Sequence, residues 1–243
     1  MRELSLFTGA GGGLLGTMLL GWEPIGYVEW DEYCQRVIAA RVRDGYLPAA
    51  PIFGDIREFI KSGAAAEYRG FADVVTAGFP CQPHSYAGKL LGGEDERDMW
   101  PFTIECIRLV QPRVALLENV TGLLSGYIGR VIGDLASSGY GAKWDCIPAA
   151  SVGAPHIRDR VFIVAYADSH PIQKQDRQPE EATQDTSPGG DLAGLGLAEH
   201  RASEAKAVFC GMDDAVAHRM DRLKAIGNGQ VPAVVRRAWI ECG

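Results

Sequence analysis

The residues with the most chemistry to offer are a cysteine between two prolines, Pro80-Cys81-Gln82-Pro83, and the Glu118-Asn119-Val120 run that ends a later apolar segment. Each proline biases its preceding residue away from helix, so Cys81 is expected in a fixed, non-helical turn. Lone cysteines are more often buried and inert. This one has company in Gln82, Ser85 and the glutamate-asparagine pair. A second candidate set is Arg158 and Arg160, which alternate on a segment read as extended and so point the same way, an arrangement suited to gripping a phosphate or a base oxygen.

These groups need elements to hold them. Ala72 to Gly78 is rich in β-branched and small apolar residues and is bounded by Gly78 and Pro80, which reads as a buried strand delivering Cys81 to an exposed loop. A first strand, Glu3 to Phe7, runs into a glycine turn at Thr8 to Gly16 and an apolar helix from Thr17, the opening crossover of a Rossmann-like sheet. Gly11, Gly13 and Gly16 satisfy G-x-G-x-x-G, and Glu29 closes the second strand where an acidic residue would bind a ribose. That pattern fits a dinucleotide and S-adenosylmethionine equally well, or a tight turn with no ligand. Asp31 is placed to cap a helix over Glu32 to Val42. Pro51 to Asp55 forms a third short strand, so Glu29 and Asp55 should both face the crevice at the carboxyl edge of the sheet. Trp30 either covers a flat ring there or belongs to the core.

The glycine-rich and charged stretch from Tyr86 to Met99 has the composition of a lid or a solvated connection. Helices are expected over Phe102 to Val110 and Tyr127 to Leu135, with strands at Val114 to Val120, Lys143 to Ile147 and Val161 to Ala165. Periodicity disappears from Asp168 to Cys210 and returns in a helix at Asp213 to Ala225. A turn over Ile226 to Pro232 and a last helix, Ala233 to Ile240, complete the pattern.

Composition excludes several classes. With 243 residues and 47% hydrophobic content the chain can bury a full core, and no apolar run approaches the ~20 residues of a membrane span, so a cytoplasmic location is expected. Six scattered cysteines and five histidines make no ligand spacing, and no metal is expected. A net charge of -7 has the wrong sign for affinity gained mainly by neutralising phosphates. Nucleic-acid contact would therefore rest on local clusters, Arg158 with Arg160, or Arg219, Arg222, Lys224, Arg236 and Arg237. Asp168 to Lys206 carries eight acidic and four basic residues.

Taken in order, these stretches resemble the DNA cytosine-5 methyltransferase family, in its short bacterial or phage form. Phe7-Thr8-Gly9-Ala10-Gly11-Gly12 looks like the family's cofactor loop, and Glu29-Trp30 and Asp55-Ile56 like its next two cofactor contacts. Gly78-Phe79-Pro80-Cys81-Gln82-Pro83 is similar to its nucleophile loop and Glu118-Asn119-Val120 to its E-N-V. Arg158-x-Arg160 and Gly227-Asn228 resemble its later motifs. The resemblance implies an α/β, Rossmann-like S-adenosylmethionine-dependent methyltransferase fold with a mostly parallel twisted sheet and a small irregular target-recognition region. Residues 1–167 would form the catalytic domain, 168–211 a reduced recognition region, and 212–243 a segment packing back onto the catalytic domain.

It also implies roles. Cys81 would add to carbon 6 of a flipped cytosine, Glu118 would hold the base edge and donate a proton, and Arg158 and Arg160 would contact the base oxygen and a phosphate. Phe7, Gly9, Gly11, Glu29, Trp30, Asp55, Ile56, Pro80, Trp100 and Asn228 would bind S-adenosylmethionine. Gln82, Ser85 and Arg97 would touch the substrate. The partner is double-stranded DNA, with a cognate restriction endonuclease as a candidate associate and a monomer as the implied state. His84 and His156 depart from the family's usual phenylalanine and glutamine. The alternatives are the same chemistry on transfer RNA, a non-catalytic relative, and a nicotinamide oxidoreductase resting on the glycine pattern alone.

Overall fold

The computed structural model describes residues 1–80, 98–168 and 219–243. Cys81, Gln82, His84, Ser85 and Arg97 lie outside the described residues, as does all but the first residue of the 168–211 region.

β1 (Arg2–Leu6), α1 (Gly12–Met18), β2 (Glu23–Val28), α2 (Glu32–Arg43) and β3 (Ile52–Phe53) lead to two short helices, α3 (Ile56–Lys61) and α4 (Ala64–Glu67). β4 (Val74–Gly78), α5 (Trp100–Val110), β5 (Val114–Val120) and α6 (Ile128–Ser137) follow. A hairpin of β6 (Tyr140–Pro148) and β7 (Asp159–Ala167) precedes the last helices, α7 (Arg219–Asn228) and α8 (Pro232–Cys242).

The seven strands form one sheet in the order β3-β2-β1-β4-β5-β7-β6. The first five are parallel, and β7 inserts antiparallel between β5 and β6. Chain order reverses between β1 and β4, which opens a crevice at their carboxyl ends, the usual ligand site of such sheets.

Strand alternation decides which side chain meets which layer. Leu4 and Leu6 of β1, Val75 and Ala77 of β4 and Leu117 of β5 pack on one face against Phe59, Ile104, Ile107, Val131 and Leu135 of the helices. Val74, Leu116, Phe162 and Val164 cover the other face with Val234, Val235 and Ala238 of α8. On this second face β1 presents Glu3 and Ser5, both buried. Thr17 Oγ1 lies 2.5 Å from Glu3 Oε2, and the Thr76 hydroxyl donates to Glu3 Oε1 at 2.6 Å. Burial pushes the Glu3 carboxyl up to about 7 against the pull of those hydroxyls. The Thr17 hydroxyl also donates to Leu14 O, so a protonated Glu3 gives the network a donor for every acceptor.

Three expectations are corrected. α1 begins at Gly12 rather than Thr17, and a Cβ at Gly16 would stand 2.6 Å from Val235 Cβ. That glycine serves the close crossing of α1 and α8, in keeping with the packing role of the third glycine in such a pattern. α7 continues through Gly227 and Asn228, which shortens the expected turn to Gly229–Val231. Arg158 is not extended: its φ of 32° is left-handed, and β7 begins at the next residue. Asp31 does cap α2, accepting from the amides of Tyr33 and Cys34 at 3.0 and 3.2 Å, a contact worth about 1 kcal/mol.

Candidate active site

The carboxyl edge of β1, β2 and β4 holds a cleft of about 540 Å³. Its lining includes eight of the ten residues expected to bind cofactor: Phe7, Gly9, Glu29, Trp30, Asp55, Ile56, Pro80 and Asn228. Phe7 sits at φ 51°, a conformation costly for a bulky residue and one that turns the chain out of β1.

Glu29 is 8% exposed. The Gly9 amide donates to its Oε2 at 2.6 Å and the Asp31 amide to its Oε1 at 2.8 Å. Burial raises this carboxyl above the ordinary range, against the pull of the two amides. Each oxygen keeps a second lone pair for a ligand hydroxyl.

Asp55 caps α3 through the Arg57 amide at 2.9 Å and takes the Arg57 guanidinium at 2.8 Å. Burial works upward on Asp55, but the hydrogen bonds and charge of Arg57 outweigh it and hold the carboxyl low. The same guanidinium lies 5.2 Å from the Trp30 ring centroid. Trp30 is 65% exposed, which answers the choice between core and wall in favour of the wall. Across the cleft mouth, Lys224 Nζ meets Asp31 Oδ2 at 2.8 Å.

Two expected residues do not line the cleft. Gly11 is the N-cap of α1. Trp100 is fully buried, donating its Nε1–H to Asp134 at 2.8 Å and packing on Phe79 with ring centroids 5.1 Å apart. Its neighbour Met99 lines the cleft instead. Met99, Arg57 and Lys224 were missed in the sequence because a methionine ending a connection and an arginine and a lysine on helices carry no spacing signal. Lys224 counted there as part of a phosphate-seeking cluster; it is paired with Asp31, and Arg237 is paired with Glu241 and Ser151 O, each at 2.7 Å.

The second centre is Glu118, at the end of β5. In the β4–β5 register it pairs with Gly78, so Cys81 follows that pair by three residues of chain, a reach of at most about 11 Å. Alternation splits the Glu-Asn pair between the faces. Asn119 Nδ2 donates to Phe79 O at 2.9 Å, fixing the chain two residues before Cys81, while Glu118 turns to the side of Gln230. The segment's far end is held too: Met99 N–H donates to Pro80 O at 3.4 Å, and buried Asp98 accepts from the Trp100 amide and the Tyr127 hydroxyl.

Arg160 Nε lies 2.9 Å from Glu118 Oε1, and Gln230 Nε2 donates to Oε2 at 3.3 Å. Arg158, turned by its left-handed backbone, donates to Gly229 O at 2.7 Å and adds its charge to the Glu118 field. Burial raises the Glu118 carboxyl above its usual range, while Arg160, Gln230 and Arg158 pull it back. Arg160 thus pairs with Glu118 directly, while Arg158 holds the α7–α8 turn and acts on the carboxylate by its charge alone. Gln230 was not foreseen, since a glutamine after a glycine reads as turn composition.

Among the described residues no group of three or more His, Cys, Asp or Glu could hold a metal, and no helix is long and apolar enough to cross a membrane.

Residues 1–217 match the profile of C-5 cytosine-specific DNA methylases. The chain belongs to the C-5 cytosine-specific DNA methylase family. It is 36% identical over 176 residues to the Type II methyltransferase M.NgoBI of Neisseria gonorrhoeae, covering 70% of this chain and 52% of the relative. It is 36% identical over 172 residues to M.HaeII of Haemophilus aegyptius, covering 69% and 51%. The chain therefore spans about half the length of these methylase relatives. The solved structure of Spodoptera frugiperda DNMT2 shares the fold, with a TM-score of 0.51 at 20% identity over 72% of this chain and 53% of that one. The methylase match ends at residue 217, before α7.

Proposed function

We propose that this chain methylates carbon 5 of cytosine in double-stranded DNA, taking the methyl group from S-adenosylmethionine. The observation that carries the reading is Glu118, buried against Arg160 and paired in register with the strand that leads to Cys81, beside a cleft of cofactor size.

The residues fit the methyl donor. A cleft of about 540 Å³ is within the usual range for a ligand of that size. Glu29 has free lone pairs for ribose hydroxyls, and Phe7 and Trp30 offer ring faces for the adenine. Asp55 is tied to Arg57, so an adenine amine would share this carboxylate rather than own it. Met99 replaces Trp100 on the proposed cofactor wall. When bound, S-adenosylmethionine supplies an electrophilic methyl group.

In this reading the Cys81 thiolate adds to carbon 6 of a cytosine flipped out of the duplex. Protonated Glu118 donates to ring nitrogen 3 as the electron pair moves to carbon 5, which then takes the methyl group. Loss of the carbon 5 proton to a base, cleavage of the carbon–sulfur bond and return of the nitrogen 3 proton to Glu118 release the product and restore both the thiolate and the acid. Arg160 keeps Glu118 turned toward the base, and its charge with that of Arg158 favours the anionic nucleophile.

A duplex containing 5-fluorocytosine tests this reading, because fluorine at carbon 5 cannot leave as a cation and the adduct is trapped. With the methyl donor present, a stable protein–DNA band is expected, and Cys81→Ala removes it. A wild-type protein that binds the donor and modifies neither DNA nor this probe sinks the proposal.

A further inference from the structure

We propose that Gln230 is a positioning residue for Glu118, seated in a slot that three glycines leave open and tying the carboxylate to both the glycine loop and the start of the Cys81 segment. This rests on the reading of Glu118 given above. The slot is measured by what a side chain would meet. A Cβ on Gly12 would stand 2.4 Å from the Gln230 main-chain oxygen. One on Gly13 would stand 2.6 Å from Gln230 Oε1, and one on Gly78 2.7 Å from Nε2 and 3.0 Å from Glu118 Oε2. Two of these glycines open α1 and the third ends β4, so a single side chain from the α7–α8 turn touches the three segments that must act together.

The orientation of the amide follows from chemistry. A carboxylate beside it selects the NH₂ end, which puts Nε2 at 3.3 Å from Glu118 Oε2 and leaves Oε1 toward α1. Arg160 already holds the other oxygen. Glu118 is thus clamped from both sides, by a cation of β7 and by a neutral donor of the C-terminal segment. The turn that carries Gln230 is itself fixed, since Arg158 donates to Gly229 O. Among the described residues the charged groups acting on Glu118 are Arg160 and Arg158.

The neutral donor has a specific task. Arginines alone would favour the carboxylate; an amide trims its basicity by a smaller amount while fixing its direction, so that the group gives up its proton on demand and returns to one place. An aliphatic side chain of the same length would fill the slot and lose that effect.

The decisive measurement is the titration of Glu118 itself, followed by carbon-13 resonances in protein labelled at the glutamate carboxyl and assigned through Glu118→Gln. Gln230→Met keeps the slot filled and removes the donor. It should raise the Glu118 midpoint by about one to two units, the size of one hydrogen bond to a charged group. The alkaline limb of the methylation profile should move up with it, because more Glu118 stays protonated at a given pH. Gln230→Glu replaces the donor by a second acid and should raise the midpoint further, which keeps the test open if the methionine variant folds poorly. An unchanged midpoint in the substituted protein overturns the proposal, whatever its activity. A shifted midpoint in a protein that methylates no DNA leaves Gln230 in its place and removes the functional reading instead.

Discussion

Glu29 and Glu118 stand at the carboxyl ends of β2 and β5, are both held out of water, and both titrate above the ordinary carboxylate range. What holds each is different. Glu29 is gripped by two main-chain amides, Gly9 and Asp31, which cannot turn away without unfolding the glycine loop or the start of α2. Glu118 is gripped by side chains, Arg160 and Gln230, which can follow a proton. A carboxylate fixed by backbone suits a permanent acceptor of ligand hydroxyls. One fixed by side chains suits a group whose charge must change within a catalytic cycle. Glu3 is a third case: buried completely, it has hydroxyl partners and, among the described residues, no side-chain cation paired with it, so its ionised form is compensated only weakly and burial prevails.

The comparison can be broken most decisively at Glu118. Glu118→Gln keeps the shape and the contact to the base but removes the proton supply. Methyl transfer should fall about 100- to 1,000-fold, the size of general acid catalysis, while affinity for the donor measured by titration changes less than threefold. Equal losses in rate and donor affinity would merge the two centres into one.

Glu29→Gln tests the other arm. One of the two amides then faces an NH₂ group and loses its acceptor. Affinity for the donor should weaken roughly 10- to 30-fold, from about 1.5–2 kcal/mol, with the rate at saturating donor nearly intact. Equilibrium binding beside single-turnover rates distinguishes this from a general loss of fold.

Glu3 gives a smaller effect with a definite sign. Its folded pKa, about 7, lies above its unfolded value of 4.5, so the folded state binds the extra proton. That stabilisation is complete below pH 4.5 and is lost as pH rises through 7. Glu3→Gln removes the penalty at alkaline pH, so the variant should melt higher than wild type at pH 8, by up to about 3 kcal/mol, with the gap closing toward pH 5. Thermal scans at the two pH values check it. A variant less stable than wild type at both would mean that the hydroxyl network needs the charge.

Much of this was legible beforehand. The β-strand runs, the Asp31 cap and the placement of Glu29, Trp30 and Asp55 at one edge follow from period and punctuation, which are local. What failed to be legible was long-range. Gly16 showed only as one member of a glycine pattern because nothing nearby in the chain announces Val235. Trp100 was expected in the cofactor wall, yet the first turn of α5 directs it to the core and leaves Met99 exposed to the cleft. Arg158 and Arg160 were expected to point together by strand alternation, yet the left-handed turn at Arg158 takes its guanidinium to Gly229 O while Arg160 meets Glu118.

By itself the sequence determined the family, the parallel order of the sheet and the residue types at its carboxyl edge, because motif spacing and hydrophobic period are written along the chain. Only the tertiary structure decided which glycines make room for α8 and Gln230, which tryptophan meets the cleft, and what clamps Glu118. Those depend on segments from about twenty to more than two hundred residues apart being packed to contact distance, where one added methyl group is enough to forbid the arrangement.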